Sequence, residues 1–365
     1  MSRGLRQQHG LDSIKPYVPG KPIDDVKREY GLSDVIKLAS NENPRGVSPK
    51  ALAAMEQALA RLNHYPDGSG FAFRSALAKH FDVSMEQVAI GNGADDLILE
   101  LSMAYLEDGD EIIVSQSSFP MYDIYASAMR ARIVKTALTA DLGIDLDAMA
   151  QAITERTKLV YVCNPNNHTG KIVSAHAVDA FIQRVPEHVL IVLDEAYAEM
   201  VDSNDYPDSL AYVREGRTNV FVLRTFSKVY GLAGIRIGYG FGHPDVVASM
   251  FRIKPPFNVN VLAQAAGMAA LTDDAFVQQS VDANKIGRSY LYREFEQLGL
   301  SYAPSHTNFV LVHIGLQAAA IQQQLVERGV IVRPCGGYDL PEYLRVSIGT
   351  PEENERFIQT LLEVL

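Results

Sequence analysis

Val189-Leu190-Ile191-Val192-Leu193-Asp194 is an unbroken aliphatic run that stops at a carboxylate. With no polar alternation along it, the run suits a strand buried on both faces, as in a parallel sheet covered by helices. Three other runs share its character: Glu111-Ile112-Ile113-Val114, Leu159-Val160-Tyr161-Val162-Cys163 and Val220-Phe221-Val222-Leu223. Stretches of helical length, such as Ser174 to Arg184, lie between several of them. This alternation predicts an α/β fold whose large domain is a mostly parallel sheet flanked by helices, with function at the carboxyl ends of its strands.

From about Val261 the pattern turns to long helical stretches, with Thr272-Asp273-Asp274 reading as a break and a new amino-terminal cap before a helix reaching about Leu298. Strands are expected around Phe309-Val310-Leu311-Val312 and Tyr343-Leu344-Arg345-Val346-Ser347. The expected division is a large unit over 36–258 and a smaller α+β unit made of an amino-terminal arm, 1–35, with 259–365.

The 365 residues, 47% hydrophobic and 21% charged, are enough for a large core and two domains. A net charge of -11 and the lack of any Lys/Arg run argue against a nucleic-acid surface. Small anions are not excluded, because a few buried arginines can bind one against an unfavourable global field. Cys163 and Cys335 have neither CxxC nor metal-ligand spacing, which fits a reducing cytoplasm without a metal site. No run approaches the ~18 apolar residues of a membrane helix, and Met1 to His9 lacks the apolar stretch of a secretory leader.

Asp194 falls at a predicted strand end, where a carboxylate either faces a ligand or caps the next element. Asn164-Pro165-Asn166-Asn167-His168-Thr169-Gly170 follows another strand end and reads as a turn. Gly91-Asn92-Gly93-Ala94-Asp95-Asp96 reads as a glycine turn opening a helix, either a phosphate site on free backbone amides or a plain helix start with acids complementing its dipole. It is neither a dinucleotide fingerprint, since Asp96 takes the place of the third glycine, nor a GxxxxGK[ST] loop. About one strand-helix-strand unit beyond Asp194 comes Thr225-Phe226-Ser227-Lys228-Val229-Tyr230-Gly231-Leu232-Ala233-Gly234-Ile235-Arg236. A lysine there, desolvated or beside a cation, has an unprotonated amine able to form a Schiff base.

Taken in order, the glycine turn, the Asn-x-Thr-Gly loop, the strand-end Asp and the Ser-Lys with its following Arg resemble the fold type I aminotransferases that use pyridoxal phosphate. Ser40-Asn41-Glu42-Asn43-Pro44, Leu193-Asp194-Glu195-Ala196-Tyr197, Pro255-Pro256-Phe257-Asn258-Val259-Asn260 and Leu344-Arg345-Val346-Ser347-Ile348-Gly349-Thr350 extend the resemblance over nearly the whole chain, closest to the histidinol-phosphate aminotransferase subfamily. The resemblance implies that Lys228 bonds the cofactor and moves the proton, that Asp194 faces the pyridine nitrogen, and that Asn167 and Tyr197 meet the phenolic oxygen. It places Phe119 on the ring, and Ala94, Asp95, Thr225, Ser227 and Arg236 around the phosphate. Tyr65 would reach the phosphate from a neighbouring subunit, implying a homodimer with shared sites. Tyr17, Arg333 and Arg345 are implied in substrate recognition, with one anion site serving glutamate and histidinol phosphate in turn.

The implied reaction exchanges the amino group between L-histidinol phosphate with 2-oxoglutarate and imidazole-acetol phosphate with glutamate. Aromatic amino-acid transfer, threonine-phosphate decarboxylation and a non-catalytic regulator are the competing readings, and a regulator's basic helix-turn-helix domain has no room before Ser40. One departure stands out: many relatives have proline where this chain has His168. A cis bond before a non-proline residue costs ~2.5–4 kcal/mol. The expectation is therefore a strained cis bond or a rearranged trans loop, with Asn167 still reaching the cofactor and His168 acting as loop filler rather than as a base.

Overall fold

In the computed structural model, which describes residue 7 and residues 9–365, the aliphatic runs become interior strands of a seven-stranded sheet. The leader reading of the amino terminus therefore lies largely outside the described residues, since residues 1–6 and 8 are among those not described. The strands are β1 (Ile36–Leu38), β2 (Val88–Gly91), β3 (Glu111–Ser115), β4 (Arg132–Thr136), β5 (Thr157–Cys163), β6 (Leu190–Asp194), β7 (Val220–Thr225), β8 (Gly238–Gly242), β9 (Tyr302–Ala303), β10 (Phe309–His313), β11 (Val330–Pro334) and β12 (Tyr343–Ser347). The large sheet has the order β2-β8-β7-β6-β5-β3-β4, parallel except for β8, which runs antiparallel to both its neighbours.

Two apolar layers explain why β5, β6 and β7 read as continuous hydrophobic runs. Val160, Val162, Ile191, Leu193, Val220 and Val222 pack on one face, while Leu159, Tyr161, Leu190, Val192, Phe221 and Leu223 pack on the other. Each face is closed by helices, so alternate residues are equally buried and no polar periodicity survives. The helix Ala175–Arg184 begins where Ser174 accepts a hydrogen bond from the Ala177 amide at 3.1 Å, a side-chain cap on an otherwise orphan donor. The predicted break at Thr272–Asp274 precedes the helix Asp274–Gln297.

A second sheet, β1-β11-β12-β10-β9, forms the other layer around its own apolar cluster of Val310, Val312, Val330, Val332, Leu344 and Val346. Two details differ from the expected division. Ile36–Leu38, expected to open the larger unit, pairs in parallel with Val330–Val332 of the smaller sheet. Ala263, Ala266 and Ala270 of the helix Val261–Ala270, expected with the smaller unit, pack in the core of the larger. Backbone pairing to a distant partner in one case, and small residues suited to close helix packing in the other, decide these placements. No described helix is long and apolar enough to cross a membrane.

Candidate active site

The carboxyl ends of β5, β6 and β7 lie side by side, with Cys163 opposite Asp194 and Asp194 opposite Leu223, and the loops that leave them carry the reactive residues. Asp194 is the last residue of β6 rather than the first beyond it. Its carboxylate is almost wholly buried, accepts from the Ala196 amide at 3.1 Å through Oδ1, and accepts the Tyr122 phenol through Oδ2. Burial pushes its pKa up to about 6, against the pull of Tyr122 and the Ala196 amide. A buried carboxylate with no cationic partner among the residues that bond it is suited to an incoming cationic group.

Lys228 follows β7 and sits with Nζ 5.5 Å from the centroid of Tyr197. Desolvation, reinforced by Arg345, pushes its pKa down to about 8. Tyr197 is held by two amides: Asn41 Nδ2 donates to its hydroxyl at 2.9 Å and Asn167 Nδ2 at 3.3 Å. The cis peptide among the described residues is Asn164–Pro165, and the Asn167–His168 peptide is trans. This trans loop brings Asn167 to Tyr197.

Behind Lys228 a phosphate-sized cradle is built from the helix Ala94–Tyr105, whose cap Gly93 has φ +86°. A Cβ on Gly93 would lie 2.3 Å from Arg236 Nη2, and one on Gly238 would lie 2.3 Å from the Ala94 amide. The guanidinium and the helix amides can approach this closely only because both positions are bare. Arg236 itself has φ +59°, a left-handed conformation that non-glycine residues adopt at a cost of ~1–2 kcal/mol. It donates to Ala233 O at 3.2 Å and lies 3.5 Å from Asp95. Thr225 Oγ1 accepts from the Ser227 amide at 3.0 Å. The cradle, the buried Asp194 and the depressed amine fit a phosphorylated pyridine aldehyde: an anion at one end, a basic ring nitrogen at the other and a carbonyl between them.

A cavity of about 90 Å³ opens over Lys228, lined by Tyr17, Ser40, Asn41, Phe119, Pro120, Asn167, His168, Tyr197, Arg333, Tyr338 and Arg345 as well. No carboxylate among the described residues lines it. Arg333 and Arg345 are direct cross-strand partners on β11 and β12, so their side chains share one face of the sheet. Arg345 donates to Asn167 Oδ1 at 2.8 Å, Asn167 O at 2.9 Å and Ala39 O at 3.1 Å. Arg333 donates to Val18 O at 3.1 Å and to the Tyr17 hydroxyl at 3.2 Å. Each keeps a buried Nε without a partner. Among the described residues both guanidiniums are met by neutral acceptors, an arrangement able to take up an anion.

The family described as aminotransferase class I and II matches residues 33–361. The chain belongs to the class I and II aminotransferases. A histidinol-phosphate aminotransferase of Moorella thermoacetica is 50% identical over 97% of this chain and 91% of its own length. A second such enzyme, of Carboxydothermus hydrogenoformans, is 44% identical over 97% and 98%. Among solved structures, the histidinol-phosphate aminotransferase of Sinorhizobium meliloti in complex with pyridoxal-5'-phosphate superposes with a TM-score of 0.92 at 30% identity, covering 100% of this chain and 98% of that one. An aspartate aminotransferase mutant of Thermus thermophilus does so at 0.87 and 25%, covering 100% of both. This aminotransferase has the fold type I architecture.

Of the residues expected in the site, Tyr17, Phe119, Asn167, Tyr197, Lys228, Arg333 and Arg345 meet around the cavity. Ala94, Asp95, Thr225, Ser227 and Arg236 are contributed by the glycine turn and the Lys228 loop behind it. Tyr65 is elsewhere in this chain: it is 82% exposed and stacks on Phe257 with centroids 4.6 Å apart. Asn41, Tyr122, Tyr338 and His168 had no assigned part in the chemistry. Asn41 carried a signal in the Ser40–Pro44 string, and its φ of +55° marks a constrained backbone. Tyr122 carried none, since its contact with Asp194 joins residues from different strand-helix units.

Proposed function

We propose that this aminotransferase carries the amino group of L-histidinol phosphate to 2-oxoglutarate, giving imidazole-acetol phosphate and L-glutamate, a step of histidine biosynthesis, by a ping-pong cycle on pyridoxal phosphate. The observation that carries the reading is the cavity above Lys228, where two arginines stand opposite each other and no acid lines the wall. Both amino donors carry an anion beside the reacting carbon, the phosphate on the adjoining CH2–O arm of histidinol phosphate and the α-carboxylate of glutamate. The names of the relatives that match 91% to 98% of their own length support the choice of substrate.

Ala94 and Asp95 amides, the Thr225 and Ser227 hydroxyls and Arg236 would hold the cofactor phosphate. Asp194 would pair with the ring nitrogen, Asn167 and Tyr197 would bond the phenolic oxygen, and Phe119 would cover the ring. When bound, this group supplies an electron sink that makes the substrate Cα–H acidic. Lys228 Nζ then takes the proton from Cα and returns one to Cα in the reverse half-cycle. With its pKa near 8, roughly a tenth of the amine is unprotonated at pH 7 in the unliganded protein, against less than a thousandth for an ordinary lysine. Arg345 and Arg333 orient the anionic end, and Asn167, which bonds both Arg345 and Tyr197, ties substrate alignment to the phenolic contact.

The same reading includes a homodimer in which the exposed Tyr65 reaches the partner's phosphate site, and a cytoplasmic enzyme. The half-reaction tests it: holoenzyme is mixed separately with histidinol phosphate, phenylalanine and glutamate, and conversion to the amine form of the cofactor is followed by absorbance. Histidinol phosphate and glutamate should both convert it. Conversion by phenylalanine but not by histidinol phosphate makes the protein an aromatic aminotransferase instead.

A further inference from the structure

His168 stands where many relatives have proline, and the loop-filler expectation does not describe it. The ring is buried against Tyr338, with centroids 3.9 Å apart, and Nδ1 lies 2.8 Å from the Ser117 carbonyl oxygen. A carbonyl oxygen only accepts, so Nδ1 carries the proton. Burial, together with Arg345 and Arg333, keeps the ring well below its ordinary pKa and therefore neutral at pH 7. In a neutral imidazole protonated at Nδ1, Nε2 is an acceptor. His168 lines the cavity above Lys228, and with Nδ1 committed to Ser117, Nε2 is the ring atom left to meet an occupant.

That acceptor is set among donors. Arg333, Arg345 and Lys228 line the same cavity, and no carboxylate does. A ligand that satisfies the whole wall needs an anion for the guanidiniums and, some distance from it, an N–H donor for His168. We infer that His168 is a specificity-determining residue that accepts a hydrogen bond from the azole N–H of the amino donor. The inference rests on the histidinol-phosphate reading and deepens it: the arginines recognise the phosphate, and His168 recognises the ring. An apolar aromatic ring would leave Nε2 desolvated and unpaired, which disfavours phenylalanine-like donors without any steric clash.

The test compares histidinol phosphate with 2-amino-3-phenylpropyl phosphate, which keeps the phosphate and ring size but lacks the N–H, as amino donors in the single half-reaction. Wild-type holoenzyme should prefer histidinol phosphate by about 10- to 100-fold in the ratio of second-order rate constants, the range expected when one buried acceptor loses its donor. In His168→Phe the aromatic packing on Tyr338 is retained and the preference should fall to about threefold or less. His168→Gln, which keeps an acceptor, should restore part of it. The absorbance of bound cofactor reports whether each variant is folded and loaded, and the glutamate half-reaction is the azole-free reference against which any loss with histidinol phosphate is read. Equal slowing of histidinol phosphate, the phenyl analogue and glutamate in His168→Phe overturns the inference in favour of a packing role, as does an unchanged preference. If wild-type enzyme fails to react with histidinol phosphate at all, the functional reading itself fails, a distinct result.

Discussion

Replacing Tyr122 with Phe removes the phenol that donates to Asp194 Oδ2 while leaving the ring stacked on Tyr161, 4.3 Å away between centroids. A hydrogen bond to a charged group contributes roughly 1.5–3 kcal/mol, and 1.36 kcal/mol is one pKa unit, so Asp194 should rise by about one to two units. From its starting point near 6, it would reach about 7 to 8 in the cofactor-free protein. At pH 7 the carboxylate is about 90% ionised with its pKa near 6, about half ionised at 7 and about a tenth ionised at 8. Asp194 has to be an anion to pair with a protonated ring nitrogen, so the pH at which cofactor affinity begins to fall should move upward by the same one to two units. Apoprotein titrated with pyridoxal phosphate across pH 5.5 to 8.5, with binding followed by absorbance, measures this directly. An affinity profile that superposes on wild type would show that Tyr122 only packs, and the coupling between the phenol and the ring nitrogen would have to be abandoned.

Lys228→Ala should still bind pyridoxal phosphate through Arg236 and the helix amides but lose amino transfer, by at least ~10³-fold in single-turnover rate if the lysine is the proton carrier. In wild type the rate of cofactor capture should climb with pH, pass half its maximum near pH 8 and level off about one unit higher, because it is the neutral amine that reacts. Gly93→Ala must adopt φ +86° and push aside the Arg236 guanidinium, so cofactor affinity should fall about tenfold while the apoprotein loses only ~1–2 kcal/mol in chemical denaturation. Glu100 is buried in the helix Ala94–Tyr105, and burial with Asp96 nearby raises its pKa to about 8. The folded protein thus binds a proton the unfolded chain has lost, and stability drains as pH rises from about 4.5 to 8. Glu100→Gln should flatten that slope, gaining up to roughly 5 kcal/mol at pH 9 in urea titrations.

The interior of the large sheet was legible because burial on both faces leaves β3, β5, β6 and β7 as largely aliphatic runs without polar alternation. The residues at their carboxyl ends were legible for the same reason: once the strand is placed, so is the residue that ends it. Asp194 is such a case, whereas Asn167 lies four residues beyond the end of β5 at Cys163 and was reached through the family resemblance. Ile36–Leu38 was not legible, since a three-residue edge strand has no period and its partner, β11, lies almost 300 residues away. Tyr122 belongs to the same class, because hydrogen bonds formed across units leave no local pattern. The role of His168 needed a tautomer, and a tautomer is fixed by the carbonyl that happens to face Nδ1. Tyr65 and its neighbour Phe257 are both exposed on the single chain.

On the proposed function, Arg333 and Arg345, set face to face on adjacent strands, would make the cavity a sorter of charge before it is a reader of shape. Histidinol that has lost its phosphate brings only an ammonium group to two guanidiniums. At about 5 Å and an effective dielectric of ~20, each such like-charge contact costs about 3 kcal/mol. Restoring the phosphate reverses the sign of that interaction. The enzyme can therefore refuse the dephosphorylated alcohol, and any other simple cationic amine, without a side chain placed to block it, and the same repulsion leaves the pocket primed for whichever anion arrives next.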